Sequence, residues 1–325
     1  MPLKSESVVV FDTNILPTRY GLESVAWLMV KRLCKEREIR MCLPDIVVEE
    51  SVNLRGSAHE ESARILRSAL ADIEKNYQAL SAYVPDRSEV EEWWRKEIVA
   101  FFDILPSNGE DAVEALVREA RRQRPAREGR GSRDSLIWLA TKRELRAGKS
   151  VSFVSNNTKD FGGRKGDVKL HPELQEELPE GMQVELYLSL ESFIASLATS
   201  VGTKLFVSAS FVHLLQDTLY AEIYSKVSES DIFSSDYDLL DFRLNDARAR
   251  VSYSIDGTGL CLATAGGAAT LTSSEADTDI EIPIKVRSWI EFDPLNSGEP
   301  ILAELQSIEL RTDEIVNRSA GAAES

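Results

Sequence analysis

Carboxylates and side-chain amides gather beside apolar runs at four places in this chain. They follow Val8-Val9-Val10-Phe11 as Asp12-Thr13-Asn14, and Leu43-Pro44 as Asp45-Ile46-Val47-Val48-Glu49-Glu50. They recur in Gly131-Ser132-Arg133-Asp134-Ser135-Leu136-Ile137-Trp138, and after Val151-Ser152-Phe153-Val154 as Ser155-Asn156-Asn157-Thr158-Lys159-Asp160-Phe161. A carboxylate just past a buried strand is held by rigid backbone and faces the crevice at the carboxyl edge of the sheet, where open α/β folds bind ligands. Several such carboxylates repel one another unless a hard divalent cation joins them. The three histidines, His59, His171 and His213, lie outside all four segments, which argues against a zinc site. No Gly-x-Ser-x-Gly elbow and no Walker loop occurs, so serine-hydrolase and P-loop readings have no support.

In order and type these four segments resemble the PIN-domain nucleases, whose pattern is a strand ending in Asp-Thr-Asn, a Glu at a helix start, an Asp opening a later helix, and a strand ending Ser/Thr-x-Asp/Asn-x-x-Asp-Phe. The resemblance covers roughly the first 200 residues. It implies that Asp12, Glu50, Asp134 and Asn157 form the catalytic set, and that these four with Asp160 are the candidate ligands of Mg²⁺ or Mn²⁺. Asn14 and Ser155 would orient the acids or contact a ligand. Glu49 competes with Glu50, since neighbours on a helix point about 100° apart; the family's spacing from Pro44 favours Glu50. The fourth family position is Asp or Asn. Here it is the uncharged Asn157, which weakens the case for a tightly held second metal. The implied chemistry is metal-assisted phosphodiester hydrolysis.

The elements that must position these residues are legible as periodicity. Val8–Phe11, Arg40–Leu43 and Val151–Ser155 read as short buried strands, and Val184–Tyr187 as another. Leu22–Arg37, residues 58–81, 88–103 and Gly109–Gln123, and a helix capped by Ser132 running to Ala147 carry helical spacing; Leu190–Leu197 reads as a short closing helix. The order predicts a PIN-like three-layer α/β sandwich with a mostly parallel sheet, enlarged by a helical insertion. Near Ala198–Thr203 the composition changes. Phe206–Val227 reads as a helix, and alternating runs follow at Ala249–Ile255, Ile280–Arg287 and Ile301–Leu310. Asp256-Gly257 and Gly266-Gly267 read as turns. The expected division is therefore 1–199 for the α/β domain, 200–317 for a smaller α+β or mainly antiparallel β domain, and 318–325 for a frayed tail.

Charge supports a nucleic-acid substrate only after it is divided. The chain of 325 residues has a net charge of −16. Residues 1–200 hold 29 basic and 33 acidic side chains, a net of −4, and residues 201–325 hold 9 and 21, a net of −12. Within residues 118–149 eleven basic side chains face four acidic ones, a local +7 around Asp134. Beside an acidic site that run reads as a phosphate-backbone track, with Arg127, Arg130 and Arg133 nearest Asp134. The expectation is a divalent-metal-dependent endonuclease acting on RNA in preference to DNA. The rival readings are a catalytically weak module that binds RNA or a protein, and a DNA-structure nuclease. The acidic second half points away from nucleic acid, toward a protein partner or a second copy. No apolar stretch reaches the ~18–20 residues of a membrane span, no signal-peptide core of ~7–15 apolar residues follows Met1, and three cysteines (Cys34, Cys42, Cys261) in apolar settings read as reduced core residues of a cytoplasmic protein.

Overall fold

The computed structural model describes residues 6–17, 21–76, 83–162, 169–228, 237–255, 257–273, 278–294, 299–312 and 316–319. The chain divides into two compact units, one of Met1–Glu23 with Val30–Ile194 and one of Ser24–Met29 with Ala195–Ser325.

In the first unit five parallel strands, β1 (Ser7–Phe11), β2 (Ile39–Pro44), β3 (Asp103–Leu105), β4 (Ser150–Val154) and β5 (Val184–Tyr187), lie in the order β3-β2-β1-β4-β5. Val8, Val9, Val10 and Phe11 are all at most 1% exposed. That is why β1 reads as an unbroken apolar run: a parallel sheet covered by helices on both faces needs apolar side chains on both sides of each strand. The helices are α1 (Val25–Glu36), α2 (Asp45–Asn76), α3 (Arg87–Phe101), α4 (Gly109–Arg121), α5 (Ser132–Arg146), the short α6 (Pro172–Gln175) and α7 (Leu190–Leu197). The chain moves outward from β1 to β2 and β3, then returns to the other side of β1 for β4. The switch point, where such sheets bind ligands, falls between the carboxyl ends of β1 and β4.

Three local expectations for this unit need correction. The helical text from Ile46 onward and the helix read over 58–81 are one continuous helix of 32 residues, Asp45–Asn76, and residues 77–81 lie outside the described residues. Gly56 in its middle costs about 1 kcal/mol of helix propensity, but a Cβ there would meet the Glu91 side chain of α3 at 2.3 Å, so the glycine admits the packed neighbour. Second, α3 ends at Phe101, and Asp103–Leu105 forms the edge strand β3; Pro106 follows directly, and the residue before a proline is biased toward extended backbone. Third, Ser132 does not cap α5. Gly131, at φ 116°, is the cap residue and offers no side chain, so Glu119 accepts the Ser132 N–H at 2.8 Å instead.

The second unit is an antiparallel sheet and one long helix. Strands β6 (Thr199–Phe206), β7 (Tyr237–Leu244), β8 (Ala247–Ile255), β9 (Thr258–Ser273), β10 (Thr278–Phe292), β11 (Pro300–Leu310) and β12 (Val316–Ser319) run in the order β11-β10-β9-β8-β6. The remaining two, β12 and β7, pair with β10 and β9. Helix α8 (Ser208–Ser228) repeats apolar residues every fourth position, Phe211, Leu215, Leu219, Ile223 and Val227. That stripe buries against a sheet face that includes Cys261, Ala263, Ala265, Ala269, Ile282 and Val286. The compositional change read near residues 198–203 is strand, paired with β8. Gly266 and Gly267 are not a turn either: they sit inside β9, opposite Lys285 and Ile284 of β10. A Cβ on Gly267 would stand 2.1 Å from the Arg243 carbonyl oxygen, so glycine marks a close backbone approach. Gly257, at φ 77°, does occupy a turn, while Asp256 lies outside the described residues. Arg318 and Ser319, expected in the tail, belong to β12, and residues 320–325 lie outside the described residues. Cys34, Cys42 and Cys261 are buried free thiols, and burial pushes Cys34 and Cys261 up to about 12. Among the described residues no helix is long and apolar enough to cross a membrane.

Candidate active site

Asp12 follows the last residue of β1, and Ser155 follows the last residue of β4, so the switch point places them side by side. The Asp12 N–H donates to the Val154 carbonyl at 3.0 Å, which extends the sheet by one bond and fixes the Asp12 backbone. Its side chain is 3% exposed and accepts three hydrogen bonds: from the Thr13 N–H at 2.7 Å, the Asn14 amide at 2.7 Å and the Ser155 hydroxyl at 2.5 Å. Burial raises the Asp12 pKa above the ordinary carboxylate value. The three donors oppose that rise without cancelling it, and the Glu50 charge adds to it.

Glu50 approaches from α2. The Thr13 hydroxyl donates to its Oε2 at 2.7 Å, and its Oε1 pairs with the Arg133 guanidinium. Glu49, one residue earlier, turns away and pairs with Arg95 of α3, whose Nη2 donates to Glu49 Oε2 at 2.8 Å. The ambiguity between the two thus has a geometric resolution: only Glu50 is tied to the Asp12 turn.

Asp134, in the first turn of α5, is half-buried, and its carboxyl is pushed up to about 7. Burial is the largest cause, followed by the like charges of Asp12, Asp160 and Glu50; Arg133 works against them. Asn157 connects Asp134 to Asp160: its amide nitrogen lies 3.5 Å from Asp134 Oδ1 and donates to Asp160 Oδ2 at 3.0 Å, while its oxygen accepts the Asp160 N–H at 3.2 Å. Phe161, fully buried against the Phe153 ring at 4.9 Å between centroids, anchors this turn to β4.

The sequence-predicted residues therefore separate by role. Asp12, Glu50, Asp134, Asn157 and Asp160 are linked by hydrogen bonds or by the electrostatic couplings above. Ser155 and Asn14, expected to orient the acids or contact a ligand, both bond to Asp12. Ser155 is fully buried and donates to Asp12, while it accepts the Asn157 N–H at 3.1 Å. Asn14 gives its amide to Asp12 and accepts the Asn156 N–H at 3.0 Å. Both hydrogen-bond the Asp12 carboxylate, Ser155 from a buried position and Asn14 from an exposed one. Arg130 and Arg133 join Glu128, Asp134, Lys159 and Asp160 around a cavity of about 290 Å³, and Arg127, though exposed, does not line it. Lys159 and Glu128 are rim residues absent from the sequence-predicted set, and they form an ion pair at 2.6 Å. The position of Lys159 between Asn157 and Asp160 is the one local signal that could have found it.

Much of the basic run proves structural. Arg118 and Lys142 are 5% and 7% exposed and both donate to Glu177, Arg143 pairs with Asp111, and Lys149 pairs with Glu144 at 2.7 Å. A continuous phosphate track from 118 to 149 is thus ruled out for these four side chains, and the accessible cations are arginines of the loop and helix ends.

Among the described residues no three His, Cys, Asp or Glu side chains stand close enough to enclose a metal ion by themselves. The donor set still fits Mg²⁺ or Mn²⁺ chemically. It offers carboxylate, amide and hydroxyl oxygens only, and the like charges of Asp12, Asp160 and Glu50 add to the burial that pushes Asp134 up to about 7. Mg²⁺ commonly uses one or two carboxylates and completes its shell with water and substrate phosphate. Neither His59, bonded to the Pro85 carbonyl, nor His171, capping α6, belongs to the set.

Residues 9–161 match a family model described as a PIN domain, a family of metal-dependent nucleases. No curated protein and no solved structure matches the chain. The match begins inside β1 and ends at Phe161, so it brackets all five acidic and amide residues of the site.

Proposed function

We propose that this PIN domain is a divalent-metal-dependent endonuclease that hydrolyses phosphodiester bonds, with single-stranded RNA as its favoured substrate. The observation that carries the proposal is the convergence of Asp12, Glu50, Asp134 and Asp160, carried by four separate chain segments and linked through Thr13, Ser155 and Asn157. Acids so arranged favour a cation in their midst. Asp12 and Asp134 would hold it, assisted by the Asn157 oxygen and by Glu50. A bound Mg²⁺ or Mn²⁺ polarises the scissile phosphate and offsets charge on the leaving oxygen.

The chain's own residues then divide the work. Asp12 is rigid because its backbone extends β1 and three donors fix its carboxylate. Asp134, nearer the surface, would hold the cation and orient the attacking water. Arg130, Arg133 and Lys159 line the same cavity and hold backbone phosphates flanking the scissile bond. The second unit, net −12 over residues 201–325, repels nucleic acid and is a docking surface for a protein or a second copy.

A second reading, a module that binds RNA without cutting it, is favoured by one feature: Arg133 pairs with Glu50 and competes with a cation for its carboxylate. The test offers single-stranded RNA, single-stranded DNA and a flapped duplex to the purified protein with Mg²⁺ or Mn²⁺. Cleavage of RNA by the wild type, with Asp12→Asn binding the same RNA uncut, supports the proposal. Cutting of the flap alone transfers the activity to DNA structures, and binding without cleavage across both metals sinks the enzyme reading in favour of the module.

A further inference from the structure

A second cavity of the first unit, of about 480 Å³, shares no lining residue with the one beside Asp134. Its wall carries five cations, Arg118, Arg121, Arg124, Lys142 and Arg146, against the carboxylates Glu114, Glu173 and Glu177. Part of this set is internally matched. Arg118 donates from Nε to Glu114 at 2.9 Å and from both terminal nitrogens to Glu177 at 2.8 and 2.6 Å. Lys142 and the Trp138 indole donate to the same Glu177 carboxylate at 3.0 and 3.1 Å. Two cations thus balance two carboxylates. That leaves Arg121, Arg124 and Arg146 facing only Glu173.

Arg124 is the informative residue. Its side chain is 11% exposed, and Nη1 donates to the Lys159 carbonyl at 2.6 Å. Its Nε is buried and has no hydrogen-bond partner among the described residues; the Glu173 carboxylate stands 3.8 Å away, beyond hydrogen-bond reach. A buried guanidinium N–H left without an acceptor is costly, and its planar fork matches the oxygens of a phosphate. Arg121 and Arg146, both exposed at the ends of α4 and α5, have no acidic partner among the described residues. The Arg118 Nη1 also donates to the Arg124 carbonyl at 2.8 Å, so the saturated ion cluster holds the anchor in place.

We propose that this cavity binds a phosphate monoester, with Arg124 as the anchor and Arg121 and Arg146 as the flanking cations. The phosphate comes either from the end of a nucleic-acid strand or from a free mononucleotide. Through its bond to the Lys159 carbonyl, Arg124 also touches the turn that carries Asp160, so an occupied pocket and the acidic cavity share a structural element. The proposal does not depend on cleavage at the acidic site.

The test measures binding in EDTA, where no strand can be cut by a metal-dependent site. A short single-stranded RNA carrying a 5′-phosphate, a 3′-phosphate or hydroxyl ends is titrated by fluorescence anisotropy, with inorganic phosphate and a 5′-mononucleotide as competitors. One phosphorylated end should bind about tenfold more tightly than the hydroxyl-ended strand, the worth of one charge-assisted hydrogen-bonded group. The Arg121→Gln/Arg146→Gln double variant, altered only at exposed positions, should lose that preference with its thermal unfolding unchanged. Arg124→Lys, which keeps the charge and removes the fork, should lose most of it. If the mononucleotide binds as tightly as the phosphorylated strand, the free nucleotide is the source; if the strand binds more tightly, the strand end is. Equal binding of all three strands, together with no displacement by phosphate or mononucleotide, overturns the proposal and leaves the cavity as an internal ion cluster. Asp12→Asn should retain the end preference, so loss of cleavage and loss of the phosphate site are separate failures.

Discussion

Replacing Asp134 by Asn should stabilise the metal-free protein, and the size of the gain should depend on pH in a defined way. The folded-state carboxyl titrates at about 7 against an ordinary 3.8, so between those values the folded protein holds a proton that the unfolded chain has released. Stability from this group is fully present below pH 4 and is lost as pH rises through 7. At about 1.4 kcal/mol per pH unit the whole interval sets an upper limit of about 4 kcal/mol; solvent screening at the half-buried rim brings the expected effect to about 2 kcal/mol. Asn resembles the neutral acid, so wild type and Asp134→Asn should unfold alike near pH 4. By pH 8 in EDTA the variant should be about 2 kcal/mol more stable. Urea unfolding followed by tryptophan fluorescence reads this directly, since Trp138 lies on the same helix. Saturating Mg²⁺ should then stabilise the wild type by about 2.7 kcal/mol at a hundredfold excess over Kd, and the variant by less. A variant less stable than wild type at pH 8, or a difference that does not change between pH 4 and pH 8, would refute the reasoning: the acid would then be a structural cap of α5.

Ser155→Ala removes a buried donor to Asp12, and should lower cleavage about 10–100-fold while costing about 1–3 kcal/mol in urea unfolding. Neutralising Arg127, Arg130 and Arg133 together should flatten the salt dependence of RNA binding by up to about three units of slope, one for each phosphate no longer neutralised, as read by binding titrations from low to high salt. Arg133→Gln alone should change stability by less than about 1 kcal/mol in thermal unfolding, since its pair with Glu50 is exposed on the arginine side. Arg118→Met removes two of the four donors to the Glu177 carboxylate, leaving Lys142 and Trp138, and should cost about 1–3 kcal/mol by urea unfolding.

The site is legible in the sequence to the extent that it is local. Asp12 and Asn157 each lie within three residues of a strand end, and an apolar run followed by an oxygen ligand is visible in a few consecutive residues. The parallel sheet is legible for a related reason, because strands buried on both faces leave unbroken apolar text. What depends on distant partners is not legible. Glu177 is 59 residues from Arg118, so the basic run reads as uniformly solvated although Arg118 and Lys142 are buried. Gly266 and Gly267 resemble a turn because their actual constraint, the Arg243 carbonyl on the adjoining strand, is invisible to local reading. The edge strand β3 spans only three residues, too short for any alternation to show.

That the acids at the end of β1 and the start of α5 form one metal site is tested most directly by diffraction from crystals soaked in Mn²⁺, with the ion located by its anomalous signal. A single strong peak is expected within coordination distance of carboxylate oxygens of both Asp12 and Asp134, lost in Asp12→Asn. A peak elsewhere, or none at either carboxylate at saturating Mn²⁺, would contradict it.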